Sequence, residues 1–396
     1  MTELVAIGDL GEVVSGSTPD TNHPEYWNGG IPWITPADLT GNQDVHFRGP
    51  LRKITEAGFK ACSTRMLPAG SILFSSRAPI GHCAVTAFPL CTNQGFKSLI
   101  PNKRLDAVYG YYALRYFTPE LVAQGRGATF AEINKEIFQD FRLPVPPLPE
   151  QHRLAALLEK ADHLRRTRRY AQHLSDTFLQ SVFLEMFGEP AANVSNYDTA
   201  VFGDTVAGTK LGLVRGAADM NDAYPCAYVR MDAIIGDGTL DLRKLKRVQA
   251  TPAELKAYSL QKNDFLFNTR NSRELVGKTA LFTEPGCYLF NNNIMQVKFN
   301  KQVVPEFVMG LFQTAWAKQN LETIKSGTTS VFAIYYKDLQ DLPVILPPLS
   351  LQQQFAQIVQ RTERLRGQQR EAARQAEHLF QTLLHRAFRT HPVTPQ

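Results

Sequence analysis

Cysteine is scarce in this 396-residue sequence: five residues, Cys62, Cys83, Cys91, Cys226 and Cys287, an odd number with no C-x-x-C pair. That excludes a disulfide framework or a zinc knuckle as the organising device and leaves buried free thiols as the expectation. The nine histidines show no H-x-x-x-H or similar spacing, so no metal site is expected. No apolar run approaches the roughly 18 residues that cross a bilayer. The opening MTELVAIGDL lacks a basic segment followed by an apolar one, and the expected location is cytoplasmic. An excess of one charge is missing too: 43 basic against 37 acidic side chains, net +6, permits nucleic acid without requiring it. What is abundant is core material, 43% hydrophobic and 10% aromatic, which at this length predicts two globular units.

Catalytic signatures are equally absent. Ser272 to Thr279, SRELVGKT, imitates a phosphate-binding loop but has Ser where the first Gly belongs, so Gly277 is read as a turn. Glu254-Leu255-Lys256 has a nuclease-like spacing without the upstream Pro-Asp, and is read as a solvated helix face. Two P-P-L sequences resemble an amino-methyltransferase N-P-P-F motif, yet Val145 and Leu346 stand where the polar residue belongs and no aromatic follows.

Those P-P-L sequences instead mark an internal repeat. LPVPPLPEQHRLAALLEKADHL from Leu143 parallels LPVILPPLSLQQQFAQIVQRTERL from Leu342, with Pro146, Gln151, Ala155 and Leu164 matching Pro347, Gln352, Ala356 and Leu365 at an offset of 201. Upstream, Gly8-Asp9 echoes Gly203-Asp204 and Trp33 echoes Tyr228 at offset 195, while Phe74 and Arg77 align with Phe267 and Arg270 at offset 193.

After each P-P-L a long proline-free helix is predicted, over Glu150–Phe187 and Leu351–Phe388. Ser350 with Gln353 fits a capping box, Pro149 suits an early helical position, and Gly367 is a weak point. Alternating spacing of four and three picks out Leu157, Ala161, Leu164, Arg168, Ala171, Ser175, Phe178 and Val182, and in the second helix Ile358, Thr362, Leu365, Gln369, Ala372, Ala376, Leu379 and Leu383. Such seams predict two helices packed as a coiled-coil-like spacer, each roughly 57 Å long at 1.5 Å per residue. The expected fold class is mixed α/β, with domains at 1–149 and 191–349, a central spacer helix at 150–190, and a distal helix and tail at 350–396. An antiparallel helix pair would relate the halves by a pseudo-twofold axis.

The order of globular unit, P-P-L and long helix, given twice, resembles the specificity subunits of type I restriction-modification systems. The LPVPPLPEQ and LPVILPPLSLQQQ junctions, the GDLGEVVSGSTPD opening, the IPWITPADL strand and the CTNQG segment around Asn93 and Gln94 carry the resemblance across essentially the whole chain. Leu351 stands where the first copy has Glu150, which removes any contact specific to that carboxylate. The resemblance implies two target-recognition domains reading a split, asymmetric site on double-stranded DNA. It implies docking of two adenine-modification subunits and of motor-nuclease restriction subunits, as in defence against phage. S-adenosylmethionine, ATP and Mg are expected on those partners and no cofactor on this chain; the partners would flip the target base. Two other classes remain open: an enzyme in its own right, against which the missing motifs argue, and a coiled-coil adaptor that binds only protein.

The charge excess lies in the second half, where residues 351–390 hold seven basic and three acidic side chains against six of each in 150–190. Arg361, Arg364, Arg366, Arg370 and Arg374, like Arg165, Arg166, Arg168 and Arg169, suit phosphates, acidic partner surfaces or a solvated face equally. Base readout needs paired donors and acceptors. The loop-like candidates are Ser76, Arg77, Asn93, Gln94, Lys97, Arg126 and Thr129, and in the second half Asn268, Arg270, Asn271, Arg273, Asn292, Asn293, Lys325, Thr328 and Thr329. Because Arg77 and Arg270 share one place in domains that read different sequences, phosphate contact or fold support suits them better than base contact.

Overall fold

The computed structural model describes residues 2–42, 44–49, 52–125, 132–193, 197–236, 238–243, 245–327 and 330–389. The chain forms two compact units, Met1–Tyr170 with Glu371–Gln396, and Ala171–Arg370. The division falls inside each long helix, where the sequence had suggested separate spacer segments at 150–190 and 350–396.

In the first unit a five-stranded sheet runs in the order Gly11–Ser15, Lys97–Pro101, Ile72–Phe74, Cys83–Thr86, His46–Phe47. Strand side chains alternate between faces, and both faces are covered. Ile72 and Phe74 join the core beneath the helix Ala107–Gln124, while Leu73 joins a second core with Val14, Phe47 and Phe96. None of Ile72, Leu73 and Phe74 is exposed, so each contributes roughly 1.5–3 kcal/mol. A second sheet orders Arg52–Ile54, Trp27–Ile34 and Cys91–Thr92. Glu3–Ala6 pairs antiparallel with Arg142–Val145, which delivers the chain to the first long helix.

The second unit repeats this plan. Its sheet runs Val206–Leu211, Ile294–Phe299, Phe265–Asn268, Thr279–Leu281, and again splits one strand between two cores: Phe265 and Phe267 to one, Leu266 to the other. Lys246–Val248, Cys226–Val229 and Tyr288–Phe290 form the smaller sheet, with one antiparallel and one parallel pairing as in the first unit. Here the expectation of free thiols is corrected: Cys226 and Cys287 form a disulfide, their Cα atoms 4.8 Å apart. They meet because Ala227 and Tyr288, one residue on, are paired partners on neighbouring parallel strands. A separation of 61 residues carries no local signal of that. Cys62, Cys83 and Cys91 are free.

Both long helices are continuous over 40 residues, Leu148–Phe187 and Leu349–Phe388, and Gly367 causes no break. The second starts ahead of Ser350, which therefore lies inside the first turn and not at a cap. Glutamine secures each start. Gln151 Nε2 donates to the Pro146 and Arg104 carbonyls, each at 2.8 Å, and its Oε1 accepts from the Asp106 amide at 2.9 Å. Gln352 makes the matching set, to Pro347 O (2.8 Å), Gln302 O (3.2 Å) and the Val304 amide (2.9 Å).

Within each unit the two helices are in contact. In the first, Arg165 donates to Asp162 at 2.5 Å and to Glu377 at 3.3 Å and lies 4.1 Å over the Phe380 ring. In the second, Arg366 donates to the Ser175 carbonyl at 2.7 Å and to Glu363 at 2.5 Å, and further along Phe183 and Phe187 meet Phe355. There, partners fall in number on the second helix as they rise on the first, an antiparallel sense.

The buried rows differ from the predicted seams. Gln151, Ala155, Leu158, Asp162 and Arg165 are buried, whereas Leu157, Leu164 and Phe178 are 37%, 39% and 49% exposed and Val182 is half-buried. In the second helix Thr362, Arg366, Ala376 and Phe380 are buried; Leu365 and Leu379 are exposed, and Ile358 and Leu383 are half-buried. The physical reason is that paired guanidinium groups occupy seam positions, turning the neighbouring leucines outward.

Candidate nucleic-acid interface

In the first unit the loop between Ile72–Phe74 and Cys83–Thr86 is held by Ser75. Its amide donates to His82 O, its hydroxyl donates to Pro79 O at 2.7 Å, and its carbonyl accepts from Gly81 N at 3.0 Å. Gly81 sits at φ +91, a left-handed conformation natural only to glycine. Ser76 is a fastener. Its amide and hydroxyl both donate to Gly95 O (2.8 and 3.2 Å), and its carbonyl accepts from Ile133 N at 3.0 Å. With no exposed surface it cannot read a base, which corrects its assignment.

The residue after this fastener projects. Arg77 is exposed and pairs with Glu132 at 3.0 Å. Lys97 is buried and makes no ion pair among the described residues; burial, and then Arg77 and Lys135, hold its ammonium below the usual lysine range, opposed by Glu132. Arg77, Lys97 and Lys135 thus form a basic group around one carboxylate. Asn93 closes an Asx turn on the Gly95 amide (2.9 Å), and the exposed Gln94 accepts from the Thr18 hydroxyl. Arg126 and Thr129 lie outside the described residues.

The second unit builds the same frame from other residues. Thr269 replaces Ser76: its amide and hydroxyl donate to Asn293 O (2.8 and 2.9 Å), and its carbonyl accepts from Ile334 N at 3.0 Å. Gly277, at φ +86, donates to Asn268 O, so the phosphate-loop imitation is this turn. Asn268 has no exposed surface and gives its amide to Leu275 O at 3.1 Å, a second correction. Arg270 and Asn271 form a short strand beside Phe332–Ala333. Arg270 is exposed and makes no ion pair among the described residues; Asn271 accepts from the Ser272 amide.

Arg273 is exposed, 3.5 Å from Glu322 and 5.6 Å over the Phe332 ring. Lys325 is corrected as a reader: its side chain is 8% exposed, and it donates to Arg273 O at 2.7 Å and pairs with Glu322. Asn292 is half-buried, and Asn293 reaches the Met231 sulfur at 3.8 Å. Thr328 and Thr329 lie outside the described residues. Exposed guanidinium groups at Arg77, Arg270 and Arg273 suit guanine edges or phosphates.

Sequence reasoning missed Glu132 and Lys135, whose relation to Arg77 exists only in space. It also gave no role to Trp33 and Tyr228, although their match was visible. Trp33 Nε1 donates to Ser17 O at 2.9 Å, and the Tyr228 hydroxyl donates to Leu213 O at 2.5 Å. Among the described residues no group of three His, Cys, Asp or Glu is placed to hold a metal, and no helix is long and apolar enough to cross a membrane.

Comparison with known proteins gives one family. The model described as the type I restriction modification DNA specificity domain matches residues 2–171 and 224–374. The MjaIX specificity subunit of Methanocaldococcus jannaschii is 39% identical over 187 residues, 47% of this chain and 42% of that protein. The EcoKI specificity subunit of Escherichia coli is 24% identical over 285 residues, 66% and 60% of the two chains. The matches span about two fifths of the length of the first such relatives. A type I restriction-modification S subunit from M. genitalium has the same fold, with a TM-score of 0.63 at 13% identity over 98% of this chain and 96% of that one.

Proposed function

The chain belongs to the type I restriction modification DNA specificity family, and we propose that it is the subunit that reads a bipartite, asymmetric target on double-stranded DNA in the cytoplasm. One observation carries this reading: a single frame is built twice and tipped differently. Ser76 and Thr269 make the same three backbone links. The group that follows is Arg77 with Lys97 and Lys135 in one unit, and Arg270, Asn271 and Arg273 in the other. A shared frame positions the loops, and unlike tips give two half-site preferences.

The long helices serve as an antiparallel, coiled-coil-like spacer that sets the gap between half-sites and relates the domains by a pseudo-twofold axis. Helix contacts inside each unit support that reading. The outward row of Leu157, Leu164, Phe178 and Leu365 offers apolar ground for two modification subunits, with motor-nuclease subunits joining them. Catalysis belongs to those partners, which carry S-adenosylmethionine, ATP and Mg. The P-P-L carbonyls that imitate a methyltransferase motif are taken up by Gln151 and Gln352.

Footprinting of the chain with modification subunits, at several salt concentrations, tests the proposal. Arg273→Ala should weaken one half-site selectively, whereas Arg77→Ala should weaken all sequences and reduce the salt slope by about 1. Equal losses for Arg273→Ala on cognate and random DNA refute its role as a reader. Sequencing of N6-methyladenine in host DNA with and without the gene should show a two-part motif vanish on deletion.

A further inference from the structure

The second unit contains a cavity of about 420 Å³ that its counterpart in the first unit lacks. One wall is a face of the helix Pro305–Gln313, through Glu306, Met309, Gly310 and Gln313; Leu179, Phe355, Val359 and Glu363 contribute the others. That helix corresponds to Ala107–Gln124 at an offset of 198, fixed by the matching glutamine bonds to the Asp106 and Val304 amides. Met309, Gly310 and Gln313 therefore stand where the first unit has Tyr111, Tyr112 and Arg115. Leu179 stands where it has Phe380, at the offset of 201.

In the first unit these positions are filled. Tyr111 and Tyr112 meet edge to face at 4.9 Å, Tyr112 lies 6.1 Å from Phe380, and Arg115 donates to the Tyr111 hydroxyl at 2.7 Å. Three rings and a guanidinium occupy the space. The second unit has none of the four and has gained a carboxylate, because Glu306 replaces Val108. Glu306 is 95% buried, and its one hydrogen bond among the described residues comes from Gln360, at 3.0 Å. The Gln313 Oε1 atom is buried with no hydrogen-bond partner. Two acceptors, one of them anionic, are thus left in an apolar cavity without donors, an expensive arrangement unless a ligand supplies them.

We propose that this cavity binds a small aromatic cation, its ring between Leu179, Met309, Phe355 and Val359 and its N–H donors on Glu306 and Gln313. The ligand restores what the first unit provides from its own chain. A cavity of this size lies within the range for small-molecule sites. The proposal rests on the second unit alone and is independent of the DNA reading.

Isothermal titration and ligand-observed NMR of the full chain with benzamidine test it, with benzoate as the anion of matching shape. Benzamidine should bind at one site and benzoate should not. Glu306→Gln, which keeps the shape, should weaken benzamidine about tenfold or more. Leu179→Trp, which fills the cavity, should abolish binding while circular dichroism stays unchanged. No binding by the unaltered chain at millimolar benzamidine, equal binding of benzoate, or indifference to both substitutions overturns the proposal.

Discussion

Lys97 is buried beside Arg77 and Lys135 with Glu132 as the nearby carboxylate, and its ammonium is held below the usual lysine range, by burial first. Folding is therefore penalised while that lysine is charged. Between its lowered pKa and the ordinary lysine value the unfolded chain binds more protons than the folded one, so its stability contribution improves as pH rises through that window. Lys97→Met removes the penalty and should raise stability at neutral pH by on the order of 1 kcal/mol while lowering DNA affinity, read by urea unfolding and filter binding. A variant that loses stability together with affinity would show Lys97 to be scaffold. Gln151 and Gln352 have the opposite character. Each holds three backbone groups, so Ala at either position should cost about 2–4 kcal/mol by chemical denaturation. Ser76 and Asn268 had been candidates because serine and asparagine favour loops. What makes them fasteners is contact with segments far along the chain, such as Gly95 with Ser76, which residue type does not encode.

Among the elements, the long helices were the most legible, since forty residues without an internal proline leave a periodic trace that short strands do not. Their ends fell within two residues of expectation, while the row that faces inward did not. Hydrophobicity alone favours Leu365 over Arg366, yet Arg366 is 3% exposed and Leu365 56%. Removing a side chain that holds the Ser175 carbonyl and Glu363 should cost about 3 kcal/mol for Arg366→Ala, against under about 0.5 kcal/mol for Leu365→Ala. Thermal unfolding of the two variants decides the order, and equal losses would restore the leucine seam. The sheets were legible only where the repeat exposed them, at Phe74 and Phe267. Strands of three to six residues paired across long separations leave too little local pattern.

At the scale of the whole molecule, the repeat and the family were readable from sequence because both depend on order along the chain. The cavity of the second unit was not, since it arises from residues far apart in sequence. The outward apolar row gives the test at this scale. Leu157→Lys with Leu164→Lys should leave the chain folded and its own DNA binding intact, yet prevent co-purification with a modification subunit; retention of that complex places the docking surface elsewhere. The division of the chain at Tyr170 and Glu371 has another consequence. Phe380 and Phe388 complete a core whose other members, Tyr109 and Tyr112 among them, were translated more than 250 residues earlier. The half that leaves the ribosome first is thus the half finished last, and a nascent chain halted before residue 371 carries an open first core however long it waits.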